Sequence, residues 1–113
     1  MSEKGFDLKV LIPTDDGLTI SANGIQRALY YLMYNVSNRS YQLAGKGKTS
    51  EWYRGGTFLP QSFHDLINQE KVDLVITRSA ISHKIYCDNQ VAEEKDISTV
   101  LNHLIDRIDQ KKS

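Results

Sequence analysis

The apolar positions of the chain follow two different spacings, and these divide it into strands and helices. Short runs rich in branched and aromatic residues predict strands near residues 8–14, 29–36, 40–44 and 72–77. In two other stretches the apolar residues recur every three to four positions, which predicts helices near 58–69 and 97–109. The alternation of apolar and polar residues from Ser79 to Cys87 predicts part of a further strand.

Polar and glycine-containing segments separate these elements and are expected to be turns and loops. Asp15-Asp16-Gly17 predicts a turn after the first strand, and Pro13 just before it suggests an edge strand or a strand end. Residues 45–48 (GKGK) predict a flexible loop, and residues 49–54 predict either a third antiparallel strand or a continuation of that loop. Residues 88–96 predict an acidic loop.

The order of the predicted elements indicates the class of fold. Three or four strands, a helix, two more strands and a final helix suggest an α/β protein with a mixed β-sheet and flanking helices. A chain of 113 residues is long enough for one domain with its own hydrophobic core. We therefore expect a single small domain over residues 1–113, with flexible ends at 1–6 and 110–113.

The charge balance and the single cysteine exclude several classes of protein. The 14 Lys and Arg residues balance 14 Asp and Glu residues, so the chain lacks the basic excess of a general nucleic-acid binder. Cys87 is the only cysteine, which excludes an internal disulfide and any metal site made of one chain's cysteines alone. No stretch resembles a signal peptide or approaches the roughly 20 apolar residues of a membrane span. We therefore expect a cytoplasmic protein with neither nucleic acid nor membrane as a partner.

Three segments together resemble the dinitrogenase iron–molybdenum cofactor family, which includes NifX- and NafY-like accessory proteins and the C-terminal region of NifB. The first segment is KVLIPTDDGLTIS, residues 9–21. The second is RALYYLMYNV, residues 27–36, which is similar to the family's Arg-Ala-x-Tyr-Phe strand. The third is the Gly55-Gly56 pair, which opens a helix that leads to VDLVIT at 72–77. The order and spacing of these segments carry the resemblance, which covers residues 9–77.

The resemblance implies a ribonuclease-H-like α/β fold that binds or carries an iron–sulfur-type cofactor, such as the iron–molybdenum cofactor or a precursor. It implies no enzyme activity, and the partners would be proteins that donate or accept the metallocluster. The family's His-Phe-Gly before the Arg-Ala strand is replaced here by Gly24-Ile25-Gln26. The family's helix after the VDLVIT-like strand is missing or reduced, because SAISHKIYC follows at once. Its loss would leave an open cleft beside Arg78.

Cys87 is the first candidate ligand for such a cofactor, because a thiolate is the softest donor in the chain. A preformed cluster brings its own sulfides and needs only one or two protein ligands, so one cysteine suits a carrier better than a scaffold. His83 and His64 follow, as the histidines nearest a strand or helix that could face a pocket. The alternatives are a buried structural Cys87, an exposed His83 and a His64 at the border of the core.

The segment Arg54-Gly55-Gly56-Thr57 is a candidate site for the anionic part of the ligand. Glycines allow a ligand to approach the backbone, and the expected helix start would offer free N–H groups at the positive end of its dipole. Residues 37–56 carry four positive charges against one negative charge, which also suits an anion. Arg78 is a further candidate residue for binding the anion, because it lies beside the expected cleft. The alternative is a flexible loop that only turns the chain.

Two other functions stay open at this point. A protein-interaction module of the same fold would use the six tyrosines and Trp52 as an interface, although three of the tyrosines share one strand and could be core. A metal-dependent nuclease needs carboxylates that converge on two cations. Asp15, Asp16 and Asp73 are available, but Asp73 is expected at the opposite strand end, and Asp-Asp-Gly is the stronger signal for a turn.

Overall fold

A five-stranded mixed sheet forms the centre of the molecule. The computed structural model describes residues 7–22, 25, 27–78 and 88–112. Strand β2 is antiparallel to its neighbours β1 and β3, whereas β1, β6 and β7 are parallel, in the sheet order β3-β2-β1-β6-β7. The predicted α/β domain with a mixed sheet is confirmed. The elements are β1 (Leu8–Thr14), β2 (Tyr30–Val36), β3 (Tyr41–Lys48), a 3₁₀ turn (Thr49–Trp52), β4 (Tyr53–Arg54), β5 (Thr57–Phe58), α1 (Pro60–Glu70), β6 (Leu74–Thr77), β7 (Asp88–Val91) and α2 (Ile97–Lys112).

Each face of the sheet has its own hydrophobic core. The alternation of side chains along β1 sends Val10 and Ile12 to one face and Leu11 to the other, and all three are fully buried. Helix α2 covers the first face, and its predicted stripe Ile97, Leu101, Leu104, Ile105 and Ile108 is buried there. Helix α1 covers the second face through Phe63 and Ile67. The sheet is therefore enclosed between two helices.

Pro13 marks a strand end, which is one of the two predicted alternatives, and not an edge strand, because β1 lies at the centre of the sheet. Pro13 is the next-to-last residue of β1 and pairs with Tyr31 of β2. The ladder between β1 and β6 runs only from Val10–Leu74 to Leu11–Val75. A proline is tolerated because its missing N–H falls beyond this short ladder, near the strand end.

Strand β3 extends through Lys48, so the prediction of a flexible loop over residues 45–48 is wrong. Gly45 and Gly47 pair with Met33 and Tyr31 on β2. A Cβ built on Gly47 would overlap the ring of Tyr31, and one on Gly45 would lie 3.0 Å from Cε of Met33. The two large side chains of β2 therefore lie across the glycines of β3, and glycine here serves packing and not flexibility.

The segment after β6 differs from the prediction in part. Residues 88–91 form the edge strand β7, parallel to β6, and not the start of an acidic loop. The strand pattern at 79–87 and the expected loss of a helix after Thr77 both fall on residues outside those described. The sequence signal for β7 is weak because three of the four side chains of Asp88–Val91 are exposed.

Both predicted helices are present, with shifted ends. Helix α1 begins with Pro60 at its first position, and Lys71 ends it in the left-handed conformation at φ 56°. Helix α2 continues to Lys112, beyond the predicted helix end at residue 109. Among the described residues, no helix is both long enough and apolar enough to cross a membrane.

Candidate anion-binding site

A cavity of about 460 Å³ lies where β2 begins and β3 ends. Because Tyr30 pairs with both Thr14 and Lys48, this is also the carboxyl end of β1. Ligands of open α/β sheets bind outside the carboxyl ends of the parallel strands. We call it the Arg27–Lys48 cavity, and its lining is Arg27, Ala28, Leu29, Tyr30, Lys48, Thr49, Ser50, Tyr53 and Gly56.

The polar groups of this cavity favour a negatively charged ligand. Arg27 precedes β2 and Lys48 ends β3, so two separate segments bring a cation to the same cavity, and both residues are exposed. Ser50 and the phenols of Tyr30 and Tyr53 add hydroxyl donors. No carboxylate occurs among the described residues that line it. These residue types can donate charged and neutral hydrogen bonds to an anion.

Hydrogen bonds from two directions hold the wall formed by residues 27–30. The buried Thr49 donates its hydroxyl to the carbonyl of Ala28, and its N–H donates to the carbonyl of Leu29 at 3.3 Å. From the other side, the N–H of Leu29 donates to Oδ1 of Asp15 at 2.9 Å. The segment before β2 is therefore tied both to the 3₁₀ turn and to the end of β1.

The predicted Arg54-Gly55-Gly56-Thr57 segment is a tight hairpin and not the start of a helix. Arg54 pairs with Thr57, and the two glycines between them have φ values of 57° and 80°. Positive φ at both central positions is the geometry of a type I′ turn, which glycine adopts without strain. Helix α1 starts only at Pro60, so its free N–H groups do not adjoin the glycine pair. Of the four residues, Gly56 lines the Arg27–Lys48 cavity.

Trp52 lies in the core and not on the surface, which contradicts its expected role in an interface. Its side chain is 1% exposed and stacks on Tyr31 with ring centroids 4.9 Å apart. The Tyr31 hydroxyl donates to Oε2 of Glu51 at 3.4 Å. Burial first, and then the negative charge of Glu51, raise the pKa of Tyr31 above its ordinary value. Tyr31 therefore stays protonated as a donor beside the 3₁₀ turn that carries Thr49.

The predicted metal ligands are not brought together by the described part of the chain. His64 lies in α1, buried beside Phe63 with ring centroids 6.0 Å apart, and so belongs to the core and not to its border. His83 and Cys87 fall outside the described residues. Arg78 is exposed directly after β6. Within residues 7–22, 25, 27–78 and 88–112, no group of three or more His, Cys, Asp or Glu side chains could hold a metal ion.

The three aspartates of the nuclease hypothesis lie at opposite ends of the parallel strands. Asp73 directly precedes β6, and its Oδ2 accepts a hydrogen bond of 2.8 Å from the N–H of Lys9 near the start of β1. Asp15 and Asp16 follow the other end of β1. The carboxylates therefore do not converge, and this arrangement contradicts a two-cation site made of these residues.

Asp16 organises the turn after β1, as the Asp-Asp-Gly pattern predicts. Its carboxylate accepts hydrogen bonds of 2.8 Å from the N–H groups of both Leu18 and Thr19. The backbone bonds from Thr19 and Leu18, and then the Thr19 hydroxyl, lower the pKa of Asp16 from 3.8 to about 2. The turn is thus held by the ionised carboxylate.

Asp16 is expected to make the folded state sensitive to acid. Because its pKa is lower in the folded protein than in the unfolded chain, its contribution is complete above pH 3.8 and is lost as the pH falls from 3.8 to about 2. Urea denaturation at pH 2, 3, 4 and 6 should show a smaller loss of stability over this range for Asp16→Asn than for the wild type. Asp109→Asn, an exposed change in α2, should keep the wild-type profile. An identical profile for Asp16→Asn would contradict this role.

A second cavity, of about 590 Å³, lies between β7 and α2. Its lining includes the carboxylates of Asp88, Glu93 and Glu94. The guanidinium of Arg107 donates from Nη1 to Oε1 of Gln90 at 3.0 Å across this cavity wall. The excess of carboxylates is unfavourable for an anion. The Arg27–Lys48 cavity is therefore the better candidate for an anionic ligand.

The sequence did not predict that these residues line one cavity, although it drew attention to some of them. Lys48 was counted among the positive charges of residues 37–56, and Arg27 opens the segment that resembles the family's Arg-Ala strand. Arg27 and Lys48 come to the same cavity because β2 pairs with β3, which places the first residue of β2 opposite the last residue of β3. That register depends on residues 45–48 being a strand.

Comparisons with known proteins support the fold and no more. Neither the protein-family models nor the curated proteins contain a match to this sequence. Among solved structures, the chain is similar to the crystal structure of a protein from Methanocaldococcus jannaschii that is described as a "putative dinitrogenase". The TM-score is 0.53, and the match covers 91% of this chain and 92% of that chain at 19% sequence identity. The chain therefore shares the α/β fold of that protein over nearly its whole length.

Proposed function

We propose that this chain is a binding protein, and not an enzyme, for an anionic iron–sulfur-type cofactor such as the iron–molybdenum cofactor or a precursor. The observation that carries the proposal is the Arg27–Lys48 cavity, where two cations line one cavity at the carboxyl end of β1. The similarity in fold to the M. jannaschii protein agrees with a cofactor-related role. The binding partners in this proposal are proteins that donate or accept the cluster.

We also infer that the fold is ribonuclease-H-like. The sheet order β3-β2-β1-β6-β7, with β2 running opposite to the other four strands, supports this inference. The Arg27–Lys48 cavity lies at the carboxyl end of the central strand β1, where its antiparallel neighbour β2 begins. The family resemblance of residues 9–77 implies the same fold.

The cations of the cavity would hold the charge of the cluster, while a softer donor would bind one of its metals. Cys87 is the preferred donor because its thiolate is soft, and His83 is the second choice. His64 is the weakest of the three candidates, because it is buried in α1 and is not part of the cavity lining. Arg54 lies on the hairpin whose Gly56 lines the cavity, so it remains a candidate for long-range attraction.

Anaerobic loading with isolated iron–molybdenum cofactor tests the proposal. After desalting, the wild type should retain iron, and Arg27→Glu and Lys48→Glu should each retain several-fold less, because a hydrogen bond to a charged group is worth about 1.5–3 kcal/mol. Arg39→Glu is the matched control, since Arg39 is exposed in the turn between β2 and β3, at the far end of both strands. It should retain as much iron as the wild type. Equal iron in all four proteins would contradict a site at this cavity.

The same assay assigns the metal ligand. Loss of iron in Cys87→Ala, with retention in His83→Ala, would support the thiolate as the ligand. Retention in both variants would keep the carrier and discard the two ligands. A wild type that retains no iron would refute the carrier.

An interaction module without cofactor is the second candidate, and exposed apolar side chains favour it. Leu29 is 60% exposed and Tyr30 is 44% exposed, and both border the Arg27–Lys48 cavity. Exposed apolar residues beside a charged rim are typical of protein-binding surfaces. This candidate gains support if the wild type carries no iron.

A further inference from the structure

Asp15 connects three segments at the carboxyl end of β1. Its Oδ1 accepts a hydrogen bond of 2.9 Å from the N–H of Leu29, and its Oδ2 accepts one of 2.8 Å from the hydroxyl of Ser21. Asp15 itself follows β1 directly. Its two oxygens therefore link the end of the central strand to the residues on both sides of the connection between β1 and β2.

The contact with Leu29 reaches the wall of the Arg27–Lys48 cavity. Residues 27–30 all line that cavity, and Asp15 is not among the lining residues. Thr49 holds the same segment from the opposite side, through the carbonyls of Ala28 and Leu29. The segment before β2 thus lies between two anchors, one from β1 and one from the 3₁₀ turn.

We propose that Asp15 is a positioning residue of the Arg27–Lys48 cavity, which acts through the N–H of Leu29 and keeps Arg27 in the same cavity as Lys48. This inference rests on the proposed function only in its choice of an anion as the ligand. It gives Asp15 a role that neither the turn nor a nuclease site explains, because of the two aspartates it is Asp16 that accepts from the N–H groups of Leu18 and Thr19.

The charge of Asp15 and its positioning effect act in opposite directions on an anion. A carboxylate close to the cavity wall repels an anionic ligand, whereas its hydrogen bond to Leu29 keeps the wall in place. Asparagine at this position retains an oxygen acceptor for the Leu29 N–H and can donate to the Ser21 hydroxyl, but carries no charge. Alanine removes both the charge and the acceptor. The two substitutions therefore separate the electrostatic effect from the positioning effect.

The test measures the affinity of the full chain for inorganic phosphate by NMR titration, beside the iron-loading assay. Asp15→Asn should bind phosphate at least as tightly as the wild type, and Asp15→Ala should bind about tenfold more weakly, since small misplacements of binding groups have effects of this size or larger. The Leu29 amide should exchange faster with solvent in Asp15→Ala and stay protected in Asp15→Asn. Asp16→Asn removes a charge one residue away and should leave the affinity within about twofold of the wild type.

Each outcome bears on one proposal. Equal or tighter phosphate binding by Asp15→Ala would overturn the positioning role, because only the charge would then matter. If the Asp15 variants bind phosphate as expected but the wild type retains no iron, the positioning role of Asp15 would be supported and the proposed function as a cofactor carrier would be refuted. If Asp15→Ala does not fold, Asp15→Glu replaces it, because glutamate keeps the charge but its longer side chain displaces the acceptor for the Leu29 N–H. Weaker phosphate binding by Asp15→Glu would support the positioning role, and binding equal to that of the wild type would overturn it.

Discussion

Replacing Leu101 with aspartate is expected to cause the largest loss of stability among the changes proposed for this protein. Leu101 is fully buried in α2 against the sheet, within the core that contains Val10 and Ile76. The substitution leaves a cavity and also buries a carboxylate without a partner, and each of these effects is strongly destabilising. We expect a loss of about 4–5 kcal/mol in the free energy of unfolding, which is a large fraction of the roughly 5–15 kcal/mol that stabilises a typical domain. Urea denaturation followed by circular dichroism measures this loss.

Asn102→Asp is the matched control, because it introduces the same charge at the next position of the same helix. Asn102 is exposed, so its substitution should change the free energy of unfolding by less than about 0.5 kcal/mol. A Leu101→Asp protein with wild-type stability would show that α2 does not cover this face of the sheet.

Substitution of Gly47 by alanine should have the second largest effect. The added Cβ would overlap the hydroxyl and ring carbons of Tyr31, which is itself buried and stacked on Trp52. Overpacking of this kind costs about 1–3 kcal/mol, and the ring has little space because Trp52 also packs against Phe63 at 4.8 Å. Denaturation measures the loss, and a red shift of Trp52 fluorescence in the folded state would report the displaced stack.

Gly45→Ala tests whether the aromatic ring is the cause. Its Cβ would meet only Cε of Met33, at 3.0 Å, and this atom is the flexible end of a side chain. We expect a smaller loss than for Gly47→Ala and no shift of Trp52 fluorescence. If the two variants lose equal amounts of stability, the cause would be the strand backbone and not overlap with the Tyr31 ring.

The parts of the fold that could be predicted from the sequence are those that bury continuous apolar patterns. Strand β1 has five buried residues in succession at its end, and α2 has a complete apolar stripe. In such segments the spacing of the apolar residues identifies the element as a strand or a helix, because the apolar residues are also the buried ones. The predicted helices therefore began within about two residues of the observed ones.

The edge strands could be predicted only in part. The strand predicted at 40–44 is confirmed as the first half of β3. The second half of β3 contains glycine and lysine because the side chains of β2 supply the packing, so its own side chains carry no apolar alternation. Strand β7 is mostly exposed and polar. In both strands the backbone pairing with a neighbour decides the conformation, and a single sequence does not contain that information locally.

The residues of the candidate site could be predicted only in part from the sequence. A positive, glycine-containing region was expected to receive an anion, and Lys48 and Gly56 of that region do line the cavity. The expected helix start at Gly55-Gly56 is a hairpin turn, because two positive φ values are incompatible with a first helical turn. Arg27 and Lys48 line one cavity because β2 pairs with β3, and Asp15 accepts a hydrogen bond from Leu29 across the connection between β1 and β2. No local pattern in the sequence reveals either arrangement.

The lysines and the irregular register of β3 also bear on self-association. Among the described residues, β3 is an eight-residue strand that pairs on one side only, with β2. Such an edge is a template on which further copies could polymerise as cross-β assemblies. The exposed Lys46 and Lys48 bring like charges to any growing stack, and the register shift opposite Met33 and Tyr34 disturbs the flat ladder that a stack requires. Lys48, which lines the cavity, thus also places a positive charge on the unpaired edge of β3, where it disfavours the stacking of further copies.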